Sequence, residues 1–253
     1  MNDISKWIRD YCERNNIRSL VIGVSGGVDS ALASTLCAMT KLPTYLLTMP
    51  IHQDANQHDR GTRHIEWLME THDNVFYMNK DLTGVYDSFC SIMDKGERNQ
   101  LGLANSRARL RMTTLYQIAQ VYGGIVVGTG NKVEDFGVGF YTKYGDGGVD
   151  ISPIADLTKT EVREMARELG VSEEILLAPP TDGLWDDGRT DEDQIGATYE
   201  ELEWCMAFDG DLDDLTERQR EVMEIYNRFH AQNKHKMIPI PVYTKERKQC
   251  FAQ

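Results

Sequence analysis

Four short apolar runs, "SLVIGV" (19–24), "TYLLTM" (44–49), "NVFYMN" (74–79) and "GIVVGT" (124–129), are separated by longer amphipathic segments near 4–16, 28–40, 55–71 and 101–122. Strand-length runs that alternate with helical periodicity predict βαβ units and a parallel sheet. The fold class expected is α/β. Two further helices are predicted at 158–169 and 212–230. The first opens with Thr158 and Glu161 as a capping box, buries Val162, Met165, Ala166 and Leu169, and stops at Gly170. At 253 residues, with no repeat and no break in composition, the chain reads as one domain, 1–253.

Lys and Arg number 27 against 40 Asp and Glu, a net charge of −13. Such a balance opposes a nucleic-acid footprint, which needs a basic face, but says little about a small anion held by a few local donors. No apolar stretch reaches the roughly 18 residues of a membrane span, and the first sixteen residues lack the pattern of a secretory signal, so a cytoplasmic protein is expected. Five cysteines form no CxxC pair and argue against a zinc or dithiol site. The acidic run "DDGRTDED" (186–193) reads as a solvated loop before it reads as a metal site. Loops as long as 128–153 and 178–196 are usually functional or disordered, and Phe136, Phe140, Tyr141 and Tyr144 weigh against disorder in the first.

The first apolar run ends in "SGGVDS" (25–30). A strand, this turn and then a helix put several backbone N–H groups at one helix N-terminus, where the dipole favours negative charge. Gly26 and Gly27 allow close approach, and Ser25 and Ser30 add hydroxyls, so the turn suits a phosphate. A plain strand-to-helix turn capped by Ser30 or Asp29 is the competing reading. The turn lacks the lysine of the Walker pattern, and it carries Asp29 where an anion would sit. A Mg²⁺ ion between carboxylate and phosphate resolves that conflict.

"SGGVDS" resembles the pyrophosphate loop of the ATP pyrophosphatase superfamily, whose members cleave ATP between its α- and β-phosphates and adenylate an acceptor oxygen. "GTGNKVED…FYTKYGDGGVDISPIADLTKTEV" (128–162), together with "HK" (235–236), is similar to NAD synthetase in the order of its motifs. The resemblance implies a doubly wound parallel sheet with flanking helices, an adenine nucleotide alpha hydrolase-like fold. It also implies conversion of nicotinic acid adenine dinucleotide (deamido-NAD) to NAD through an acyl-adenylate, with ammonia consumed and AMP and pyrophosphate released. A homodimer is implied too.

Carried over position by position, the resemblance implies an ATP cradle of Gly23, Ser25, Gly26, Gly27, Asp29 and Ser30, with Thr129, Lys159 and Thr181 as further ATP contacts. Asp29 and Glu134 become Mg²⁺ ligands, and Asp29 and Lys159 the catalytic pair. For the second substrate it implies Asn105, Arg109, Tyr116, Phe140, Lys143, Asp146, Asp150, His235 and Lys236. Helical periodicity independently sets Asn105, Arg109, Met112 and Tyr116 on one face of 101–122 and Leu103, Leu110, Thr114 and Val121 on the other. Asp191 and Glu192 match a segment taken as mobile until substrate orders it. Many bacterial relatives read "GTDHAAE" where this chain has "GTGNKVE", and this chain carries one extra residue before "TKYGDGG". Glutamine-using relatives place a large amidase domain ahead of the synthetase, whereas this sheet begins near residue 19. Free ammonia is therefore the expected donor, with a separate glutaminase subunit as the other source. The remaining readings are another adenylating amidotransferase and a non-catalytic ATP sensor of related fold.

Overall fold

The computed structural model describes residues 2–53, 55–180 and 190–244. In chain order its elements are α1 (Asn2–Arg14), β1 (Ser19–Gly23), α2 (Val28–Met39), β2 (Thr44–Thr48), α3 (Ala55–Thr71), β3 (Val75–Asn79), α4 (Thr83–Ser91), α5 (Gln100–Tyr122) and β4 (Gly124–Val126). A π-helical turn (Val133–Val138) precedes α6 (Lys159–Glu168), α7 (Glu173–Leu176), α8 (Asp191–Ile195), α9 (Tyr199–Ala207) and α10 (Glu217–Met237).

The strands lie in the order β3-β2-β1-β4 and every pairing is parallel, with Leu20 opposite both Thr44 and Ile125. Successive β1 residues face opposite ways, as the pleat requires. Leu20 and Ile22 join α1, α2, α3 and α6 on one face, and Val21 joins α4 and α5 on the other. Both faces are thus covered, as a parallel sheet demands. The chain leaves β1 toward β2 and β3, then returns to lay β4 on β1's other side. That reversal opens a crevice beyond the carboxyl ends of β1 and β4, where open α/β sheets bind ligands.

The four strand runs and the capped helix at 158–169 form as expected: Val162 and Ala166 are buried, and Gly170 takes φ +84°. Other boundaries move. β4 ends at Val126, and Val127 makes only an isolated bridge to Ile151, so Thr129 stands beyond the strand that it was expected to close. The last helix begins at Glu217, where Thr216 and Gln219 form a capping box, and not at 212. Helices α4 and α9 were not anticipated. The predicted faces of α5 hold in part: Leu103 and Leu110 pack against the core and Asn105 and Met112 line the cleft, but the buried residues are Ala104, Ala108 and Ala119, Tyr116 packs against the core, and Val121 is exposed. Alanine permits a closer approach than leucine, so an alanine stripe that periodicity alone passes over is what seats this helix.

A third cluster lies apart from the sheet. Val133 and Val138 of the π-turn pack with Ile195, Leu202 and Val222 from α8, α9 and α10.

Under α2, His64 of α3 is almost fully buried, its Nε2 3.0 Å from Ser34 Oγ. Burial lowers its pKa from 6.5 to about 4. Between those values the unfolded chain binds more protons than the native one, so stability is full above about pH 6.5 and declines as pH falls toward 4. The loss amounts to roughly 2–3 kcal/mol. His64→Gln is expected to flatten the melting temperature profile across that window, and parallel wild-type and variant profiles would refute the assignment.

Candidate active site

Beyond Gly23 the chain turns through Gly26, at φ +88°, into α2. Ser25 Oγ accepts from Gly27 N at 3.2 Å, and Ser30 Oγ donates to Gly27 O at 2.9 Å while accepting from Ser25 N at 3.2 Å. The two hydroxyls therefore brace the turn from within. Gly27 is the N-cap residue of α2, and no side chain caps it. The competing reading, in which Ser30 or Asp29 serves as the cap, is not what the geometry holds, and the helix start stays open to an anion. It opens into a cleft of about 520 Å³ that runs from the carboxyl ends of β1 and β4 to α5 and α10.

Lys159 occupies the charged centre. It is the first residue of α6, 2% exposed, with Nζ 2.6 Å from Asp29 Oδ2 and 3.0 Å from Glu134 Oε1. Burial opposes its charge, but the two carboxylates outweigh burial and hold the ammonium above its usual range. Tyr199 lies against it, with the ammonium 4.5 Å from the ring centre. Its hydroxyl donates to Glu134 Oε1 at 2.6 Å and lies 3.3 Å from Asp191 Oδ2. Burial first, then Glu134, Asp191 and Asp29, push the phenol well up, so it remains a donor. Asn131, wholly buried, joins the two acidic elements: Nδ2 donates to Asp29 Oδ1 at 3.1 Å, and Oδ1 accepts from Val133 N and Glu134 N, each at 3.1 Å.

Glu134 is carried by the π-turn Val133–Val138. Gly130 makes room for it, since a Cβ there would lie 2.2 Å from Asp135 Oδ1. Burial, then Glu134, Asp146 and Asp29, raise Asp135 to about 7.

The cleft brings together Gly23, Ser25, Gly27, Asp29, Ser30, Thr129, Glu134 and Lys159 of the predicted set. It is also lined by Asn105, Phe140, Asp146 and Lys236. Asn105 Oδ1 accepts from Thr142 at 2.6 Å, and Asp146 Oδ1 accepts from Thr142 N at 2.9 Å. Desolvation is the largest cause raising the Asp146 carboxyl to about 6. Lys236 donates to Gly139 O at 2.5 Å and Tyr141 O at 2.7 Å, and Phe140 and Tyr141 both face the cleft.

Other predicted residues lie elsewhere. Gly26 shapes the turn through its backbone. Arg109 reaches Lys143 O at 3.4 Å, and Lys143 Nζ donates to His235 O at 2.8 Å, so these three meet one another outside the cleft lining. Tyr116 donates to Asp150 Oδ1 at 3.1 Å, and Asp150 Oδ2 accepts from Val126 N at 2.7 Å, an arrangement that ties α5 to the end of β4. Asp191 and Glu192, expected in a mobile segment, belong to α8, a capped turn of helix whose Asp191 is buried and whose Glu192 accepts from Tyr199 N at 3.0 Å. Thr181 lies outside the described residues. Sequence reasoning missed Asn131 and Tyr199, and also Arg60 and Arg111, which line the cleft, Arg111 Nε donating to Met49 O at 3.0 Å. Asn131, set just ahead of a helical turn, carried a readable signal as a capping residue.

Among the described residues no group of three or more His, Cys, Asp or Glu is arranged to hold a metal ion. Asp29 and Glu134 nevertheless fit Mg²⁺ as two hard oxygen ligands that already share one cationic partner, provided that phosphates and water complete the shell. Also among the described residues, no helix is long and apolar enough to cross a membrane.

A sequence model of the NAD synthase family matches residues 1–245. The NH(3)-dependent NAD(+) synthetase of Carboxydothermus hydrogenoformans is 37% identical over 91% of this chain and 90% of its own length. Among solved structures, an NMN synthetase from Francisella tularensis is similar with a TM-score of 0.85 at 32% identity, covering 97% of this chain and 96% of that one. An NAD+ synthetase from Burkholderia pseudomallei gives 0.71 at 27%, covering 93% and 87%.

Proposed function

The chain belongs to the NAD synthase family, and from that premise we propose that it amidates deamido-NAD to NAD with ATP and ammonia, through an acyl-adenylate, releasing AMP and pyrophosphate. The observation that carries this reading is the uncapped glycine turn with Asp29, Lys159 and Glu134 joined at its edge. A free carboxylate is a poor electrophile toward ammonia, and transfer of AMP to it provides a leaving group. The nicotinate carboxylate oxygen attacks the α-phosphorus, and the electron pair of the broken bond leaves with pyrophosphate. Ammonia then displaces AMP from the acyl carbon.

The chain's own residues act by positioning and charge. The α2 amides and the Ser25 and Ser30 hydroxyls hold the phosphates, with Thr129 and Thr181 as further ATP contacts. Lys159 meets the developing charge. Asp29 and Glu134 would hold Mg²⁺, which when bound neutralises phosphate charge. Asn105, Phe140, Asp146 and Lys236 receive the nicotinate-bearing substrate, and Arg109, Lys143 and His235 extend that surface beyond the cleft.

The reading includes one domain, and a homodimer supported by exposed Leu101 and Val121 on α5, Val85 on α4 and Ile92 just after it. It includes a cytoplasmic location, in keeping with the unpaired Cys12, Cys37, Cys90 and Cys205, and leaves a separate glutaminase as an alternative ammonia source.

The Francisella NMN synthetase favours a second reading, in which the amidated substrate is the mononucleotide. Incubation with ATP, Mg²⁺ and ammonium, with either nicotinic acid adenine dinucleotide or nicotinic acid mononucleotide, decides between them. Preferential NAD formation supports the first reading, and NMN formation with the dinucleotide left unused overturns it. AMP without either product indicates another amidotransferase, and no AMP indicates a sensor.

A further inference from the structure

A positive charge stands beside the glycine turn, with a single long hydrogen bond among the described residues. Helix α3 approaches that turn through Gly61, where an added Cβ would come within 3.3 Å of Gly26 N and 3.5 Å of Val24 O. With no side chain between them, the helix rests directly on the turn's backbone. One residue earlier, half-buried Arg60 is thereby carried into the cleft wall, its Nε 3.5 Å from Gly26 O.

That contact is at the outer limit of a hydrogen bond, and among the described residues Arg60 pairs with no carboxylate. Its cationic neighbours around the cleft are engaged: Lys159 with Asp29 and Glu134, Arg163 with Glu200 at 3.5 Å, and Lys236 with two carbonyls. In a chain of net charge −13, a guanidinium with no carboxylate partner among the described residues, beside an open helix start, is matched to an incoming anion. Its planar fork of five donors suits the paired oxygens of a phosphate. The turn itself has no lysine, so the cation must come from another element.

We propose that Arg60 is a phosphate-binding residue that holds the β- and γ-phosphates of ATP and then the departing pyrophosphate. The assignment rests on the ATP-cleaving reading above. As the α-phosphorus is attacked, the bond to the bridging oxygen breaks and its electron pair passes to the pyrophosphate, whose new charge the guanidinium meets. No proton is transferred by Arg60.

The test compares wild type, Arg60→Gln and Arg60→Lys as full chains, by steady-state kinetics, pyrophosphate product inhibition and calorimetric titration with α,β-methylene-ATP. Arg60→Gln is expected to raise the KM for ATP roughly tenfold to hundredfold, as for loss of a charged hydrogen-bonded contact. It should weaken both pyrophosphate inhibition and analogue binding to a similar degree, while the dinucleotide KM stays within about twofold. Arg60→Lys, which keeps the charge without the fork, should recover part of the loss; a purely structural arginine would move both substrates' constants together. Unchanged ATP, analogue and pyrophosphate constants overturn the proposal, and so does an effect confined to the dinucleotide. A wild-type chain that binds the analogue but never releases pyrophosphate fails the ATP-cleaving reading instead, and the titration still judges Arg60.

Discussion

Asp29→Asn is expected to lower kcat about a thousandfold, the scale seen when an electrostatic contact made in the transition state is removed. Asparagine preserves the shape and can still accept from Asn131 Nδ2, which lies 3.1 Å from Asp29 Oδ1. What disappears is one of the two negative charges that face the Lys159 ammonium. Glu134 remains to pair with it, so the fold should survive and the melting temperature should fall by no more than a few degrees. The measurement is pyrophosphate release under saturating ATP and dinucleotide. A rate within tenfold of wild type would show that Asp29 is a packing residue and that the phosphates are held without it.

Lys159→Met should be the more damaging change to the protein itself. The ammonium is 2% exposed and its two carboxylate partners are each 18% exposed, so its removal leaves like charges facing one another with little water. Breaking a buried pair from one side costs about 3–5 kcal/mol. For a chain of this size that corresponds to a drop in melting temperature on the order of 10 °C. Activity should fall by at least a hundredfold, since the group that meets the transferring charge is also gone. Added Mg²⁺ should restore part of the variant's lost melting temperature, because the two carboxylates are then open to a divalent cation, and should leave wild type little changed. An unaltered melting temperature in the variant would contradict the charge balance described for this centre.

The features legible in the sequence are those with short-range causes. An apolar run of strand length, the glycines of the turn and the Thr158–Glu161 capping box each act within a few residues, so pattern alone places β1, the turn and α6. The position of Lys159 just inside that cap was legible for the same reason, whereas its role came from the family resemblance. The Tyr199 contact was not, because Tyr199 meets Glu134 across 65 residues and sits in a helix with no strong apolar stripe. Arg60 depends on Gly61 resting against a backbone more than thirty residues earlier, an approach that no local pattern encodes. On α5, periodicity found the helix and the packing of Leu103 and Leu110, but it missed the three buried alanines and placed Tyr116 and Val121 on the wrong sides. The run at 186–193 was read from composition as a solvated loop, yet Asp191 is buried beside Tyr199 once α8 is capped by Thr190.

The third apolar cluster, built from the π-turn with α8, α9 and α10, is packed separately from the two that sandwich the sheet. In the proposed reaction a mixed anhydride would form in the cleft between them, and the Lys159 ammonium, 4.5 Å from the centre of the Tyr199 ring, joins α6 to α9 across that cleft's wall. Slackening α9 or α10 would then reveal itself first as futile ATP consumption, with the acid regenerated in place of the amide, well before the sheet itself came apart.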